Sequence, residues 1–150
     1  MSDQAKKIMT SLSVKPSEVR RIILNEHSVI RQKMQELERL TKAKNYPALR
    51  ESVMEFQVLF SEHLKNEETI LWPIIKTVDS WGPVRIEAMN KEHAEQRKMI
   101  AGLNDVKPEK LIQVIKDLIR VLAADMVQEE KEFLNAEILR DDVITSGFGG

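Results

Sequence analysis

Six side chains capable of holding a cation recur at a telling spacing in this chain: His27, His63, Glu67, His93, Asp125 and Glu129. His63 precedes Glu67 by four residues, and Asp125 precedes Glu129 by four. Residues so spaced lie on one helix face with Cβ atoms about 5–6 Å apart, so each pair can chelate one ion. Cysteine is absent. That excludes disulfides, thiolate zinc sites, cysteine-held iron–sulfur clusters and a cysteine nucleophile, and leaves histidine and carboxylate as the ligands for any metal. Each residue alone has an ordinary reading, since a histidine on an apolar stripe is commonly a hydrogen-bonded core residue and a glutamate a solvated one. The set is harder to explain that way. All three histidines of the chain fall on core stripes, and three imidazoles with three carboxylates in an apolar interior are costly unless paired or bound to cations.

The stripes themselves define the elements. Pro16-Ser17 opens a helix whose apolar face reads Ile23, Ile30, Met34 and Leu37, with His27 in the same row. The pattern fades at Lys42 to Asn45, and Asn45 with Pro47 marks a new start. The second stripe is Leu49, Val53, Phe56, Phe60, His63, Glu67, Ile70, and Trp72-Pro73 predicts its end, because proline disfavours helical geometry in the residue before it. Gly82-Pro83 begins the third helix, with Ile86, Met89, His93, Ile100 and Leu103 on one face. Asn104 to Lys107 turn, and Pro108 begins the fourth: Leu111, Ile115, Leu118, Leu122, Asp125, Glu129. Four long helices with short connections predict an all-α, up-down-up-down antiparallel four-helix bundle. The expected organisation is an N-terminal arm or short helix over 1–15, the bundle over 16–140, and a flexible Gly-rich tail over 141–150.

The two halves of the chain rhyme. Glu26-His27 is followed by Arg31, and Glu92-His93 by Arg97; His63 is followed by Glu67-Glu68, and Asp125 by Glu129-Glu130. Two related hairpins around a pseudo-twofold axis would bring these residues to one level, and by that logic position 125 should be histidine. Arg31 and Arg97 flank the stripe and are expected to pair outward with glutamates. Glu26 and Glu92 are read either as acceptors orienting the imidazoles or as plain surface residues, and Glu68 and Glu130, about 100° round from the stripe, as solvated.

Composition narrows the function classes. Hydrophobic residues make up 42% and charged residues 31%, the balance of a globular chain. The 23 Lys+Arg against 24 Asp+Glu leave a formal charge of −1, so no global field recruits nucleic acid or anionic lipid. No run approaches the roughly 20 apolar residues of a membrane span, and Met1 to Val14 contain no apolar core of signal-peptide length, so a cytoplasmic setting is expected. The segment with Trp72 and Trp81 reads equally as core anchor or contact surface, leaving the oligomeric state open.

With Glu26-His27, His63-x-x-x-Glu67-Glu68-x-x-Leu71-Trp72-Pro73, Glu92-His93 and Glu129-Glu130 in hand, the chain resembles the hemerythrin-like, HHE cation-binding family over roughly residues 17 to 140. The resemblance implies a non-haem centre of two irons per chain, oxo- or hydroxo-bridged, with Glu67 and Glu129 bridging and His27, His63 and His93 terminal. Manganese, or zinc as an adventitious occupant, suits the same donors. It also implies a small-molecule partner such as dioxygen, peroxide or nitric oxide. Two departures stand out: Asp125 replaces an expected histidine, and Arg97 stands where oxygen-carrying hemerythrins have a second one. The leading expectation is a di-iron protein binding dioxygen or a related molecule for sensing or iron and oxygen handling. The alternatives are a di-iron oxidoreductase acting on peroxide, nitric oxide or ferrous iron, and a degenerate-site helical interaction module.

Overall fold

The computed structural model describes residues 14–142; the remainder of the expected arm (1–13) and of the Gly-rich tail (143–150) lies outside the described residues. Helix α1 spans Pro16–Ala43. Lys44 ends it in the left-handed conformation (φ 54°), and the N–H of Asn45 returns to the carbonyl of Leu40. The Asn45 side chain then accepts from the Ala48 N–H, capping α2, Tyr46–Asn66. After a turn at Asp79 to Trp81, α4 spans Gly82–Gly102. A single 3₁₀ turn, Leu103–Asp105, leads to α5, Pro108–Glu132. The bundle expected from the stripes is the fold observed.

One expectation is corrected. Trp72-Pro73 does not end the second helical rod. A π-helical turn, Glu67–Leu71, follows α2 without a break, and α3, Trp72–Val78, continues the rod. The wide turn is closed by the Trp72 N–H reaching back to the carbonyl of Glu67, and Pro73 falls in the first turn of α3, where a missing N–H costs little.

The apolar interior comes in two parts. The larger packs Ile30, Met34 and Leu37 of α1 with Phe56, Phe60 and Leu64 of α2, Ile100 of α4, and Leu111, Ile115, Leu122 and Met126 of α5. The smaller packs Val19, Ile22 and Ile23 with Ile70 to Trp72, Ile75 and Met89, closed by Leu134 and Leu139 of the segment after α5. That segment is tied down: the Leu134 carbonyl accepts from Arg20 Nε (2.7 Å), and Asp141 accepts from the N–H and hydroxyl of Ser17 (both 3.0 Å). Between the two apolar parts, each of the four rods interrupts its stripe at the same level, with His27, His63 and Glu67, His93, and Glu129.

Candidate metal centre

The polar layer is deeply buried. His27 has no exposed surface, His63 and His93 keep 3%, and Glu67 keeps 1%. One ligand-capable atom each from His27, His63, Glu67 and Glu129 lies within 4.8 Å of the others, the spread of donors around a single ion. His27 Nε2 sits 3.0 Å from Glu129 Oε1 and 3.9 Å from Glu67 Oε2, and His63 Nε2 sits 3.3 Å from Glu67 Oε1. The closest of these approaches is not aligned as a hydrogen bond. Five buried side-chain atoms among the described residues lack a partner, and three of them are His27 Nε2, Glu67 Oε2 and Glu129 Oε1. Unpartnered polar atoms in an apolar interior are costly. Three converging on one point, all with metal-ligating chemistry, fit a cation.

The opposite edge of each imidazole is held by a carboxylate. His27 Nδ1 donates to Glu130 Oε2 (2.8 Å), His63 Nδ1 to Glu26 Oε1 (2.8 Å), and His93 Nδ1 to Glu68 Oε2 (2.7 Å). Each carboxylate is gripped in turn. Both oxygens of Glu130 accept from Arg31, Glu26 Oε2 accepts from Asn66, and Glu68 pairs with Arg97 at 2.7 Å. Such partners fix the ring orientation and aim Nε2 inward. Arg31 and Arg97 thus pair with glutamates, as expected, but with the two that hold His27 and His93 rather than outward. Glu68 and Glu130 are corrected: they face the imidazoles, each carboxylate held there by a histidine and an arginine of the facing helix. Glu26 orients an imidazole, but that of His63 rather than its neighbour His27. Glu92 touches no histidine and accepts instead from Gln96 (3.3 Å). The sequence signal for Glu68 and Glu130 was the repeated Glu-Glu doublet together with an arginine four residues after each of two histidines.

The remaining expected ligands sit apart. His93 Nε2 lies 3.1 Å from Glu67 Oε1, and its ring packs on Trp72 with centroids 4.7 Å apart, but it falls outside the four-residue group. Asp125 is half-buried and outside the group too; its Oδ2 accepts from Gln96 Nε2 at 3.1 Å.

Electrostatics reflect the crowding. Burial, then the neighbouring Glu129 carboxylate, pushes Glu67 well above the usual carboxylate range. Burial also works to raise Glu129, but Glu67 and His27 outweigh it and hold it down. Burial works against charge on His27, yet Glu129 and Glu130 raise it; at His93 burial wins and lowers it. Burial and the carboxylates of Asp125, Glu129 and Glu132 push Glu92 up to about 7.

These contacts give a first expected result. Glu130→Gln keeps an acceptor for His27 but removes the charge that Arg31 grips, and metal affinity falls by about 10–100-fold. A chelator-competition titration measures it, with circular dichroism to show the fold unchanged.

No described helix is long and apolar enough to cross a membrane. Comparison with curated proteins and with solved structures finds no match. The model of the hemerythrin HHE cation-binding domain, in contrast, matches residues 19–136, a span containing every polar side chain of the buried layer. The chain belongs to the hemerythrin HHE cation-binding domain family.

Proposed function

We propose that the centre holds non-haem iron and, through it, binds dioxygen or a related small molecule such as peroxide or nitric oxide, for sensing or for iron and oxygen handling. The observation that carries this reading is the convergence of three unpartnered buried atoms, on His27, Glu67 and Glu129, inside a shell of carboxylate-held imidazoles. Two imidazoles and two carboxylates are donors that suit iron, and manganese nearly as well. Bound iron would supply one-electron chemistry and an affinity for dioxygen and nitric oxide. The protein's part is to fix the donors and exclude water. His27 and His63 present Nε2, with Nδ1 committed to Glu130 and Glu26. Glu67 and Glu129 bring two carboxylates, and the apolar layers on either side keep the dielectric low.

The test is to load the metal-free chain anaerobically with ferrous iron, desalt it, and mix it with air-saturated buffer. An absorbance change in the near-ultraviolet or visible is expected that requires dioxygen and is missing in Glu67→Gln. Retained iron whose spectrum ignores dioxygen, peroxide and nitric oxide alike would refute the small-molecule role.

A further inference from the structure

The internal repeat provides a yardstick that the centre fails to meet. His27 and His93 are 66 residues apart, while His63 and Asp125, and likewise Glu67 and Glu129, are each 62 apart. The pseudo-twofold counterpart of the His27, His63, Glu67, Glu129 set is therefore His93, Asp125, Glu129, Glu67. The first set converges within 4.8 Å and the second does not. The relays show where the symmetry holds and where it breaks. His27–Glu130–Arg31 and His93–Glu68–Arg97 are copies of one arrangement. His63–Glu26–Asn66 has no copy. At the matching place the shorter Asp125 is met by the buried amide of Gln96, whose counterpart in the first half is the apolar Ile30. That amide bridges Asp125 and Glu92, and presents a hydrogen-bond donor where the first half has a ligand. The unpartnered atoms of the layer agree: His27 has one, Nε2, which faces the unpartnered oxygens of the two shared glutamates at 3.0 and 3.9 Å, and neither His93 nor Asp125 has one.

We propose that the two halves of the centre are unequal: one ion is held tightly by His27, His63, Glu67 and Glu129, and the His93 side is a weak, exchangeable position. An ion there would have His93 and a share of the two glutamates, with water completing its shell. The inference rests on reading this layer as a metal centre. It gives the chain a division of labour in which the first ion is resident and occupancy of the second follows the free concentration of divalent metal.

Cobalt(II) titrated into the metal-free full chain, followed by absorbance and calorimetry and by elemental analysis after desalting, tests it. One cobalt per chain is expected to survive desalting, with a second binding at least about 100-fold more weakly, as the loss of one or more protein ligands implies. The pseudo-symmetric pair of variants should part company. His63→Ala loses the retained ion, whereas Asp125→Ala keeps it with affinity within about threefold of the wild type, as expected for a side chain beyond its contacts. Asp125→His, its fold checked by circular dichroism, raises the second affinity toward the first. Two retained ions in the wild type, or equal loss in His63→Ala and Asp125→Ala, would overturn the inference and leave the metal reading intact. No ion retained by the wild type would overturn both.

Discussion

Ferrous iron added anaerobically to the metal-free chain is expected to raise its thermal unfolding midpoint by about 8–16 °C at pH 7.5. A ligand that binds only the native state at about a thousand times its dissociation constant stabilises that state by about 4 kcal/mol. For a chain of this size each kcal/mol moves the midpoint by about 2–4 °C. The gain must shrink on acidification, and the sign follows from Glu67. Its carboxyl is raised in the metal-free fold, so the folded state holds a proton that the unfolded chain releases near the ordinary carboxylate value. The metal-free fold therefore loses stability as pH climbs above that value toward the raised one, while the ion, which must displace the proton, binds more tightly. Both trends widen the gap between loaded and metal-free protein from pH 5.5 to 7.5. Glu129, held low, is ionised across that window and does not oppose them. Calorimetric scans at the two pH values measure the gap; a midpoint indifferent to iron at both would leave the buried carboxylates without a purpose as ligands.

Gly82→Ala is the second large effect. A Cβ at Gly82 would stand 2.0 Å from the Lys76 carbonyl oxygen, 2.5 Å from its carbon and 2.8 Å from the Ile75 carbonyl oxygen. All three are backbone atoms of α3, so no side chain can swing aside, and α4 must move away from α3. Overpacking of this kind costs about 3 kcal/mol, which lowers the midpoint by about 6–12 °C. Because α4 carries His93 against Trp72, their contact should loosen as well, visible as a shift in tryptophan emission. Gly102→Ala is the matched control. Its Cβ meets nothing within 4 Å and its backbone is helical (φ −61°, ψ −21°). There the substitution stabilises by about 0.4–1 kcal/mol through the unfolded chain. Denaturant titrations that rank the two alanines alike would show that the close approach at Gly82 is not limiting.

How far the sequence could be read depended on whether a feature obeyed the helical period. The stripes through Ile23, Phe56, Met89 and Ile115 do, and the bundle with its buried His27, His63, Glu67 and His93 followed from them. The π-turn at Glu67–Leu71 does not. Its extra residue per turn is invisible to a 3.6-residue template, and the rule that proline disfavours helix before it marks Trp72-Pro73 as a terminus although the rod runs on. Glu68 and Glu130 read as solvent-facing for a different reason. The partner of Glu130, Arg31, lies 99 residues away, on another helix, and a pairing so remote leaves no mark in local spacing. Asp125 was flagged by the repeat as the odd position, but only the hydrogen bond from Gln96 shows what occupies its carboxylate.

The division of the interior into two apolar parts has a consequence for cooperativity. A waist of ionisable groups is a seam across which dispersion and burial bind the ends only weakly, and the smaller end draws its closing residues, Leu134 and Leu139, from a segment beyond the last long helix. An ion gripped by α1, α2 with its π-turn, and α5, as proposed above, would act as a rivet through that seam. Whether the bundle melts as one unit or in two stages would then turn on an atom the chain does not encode.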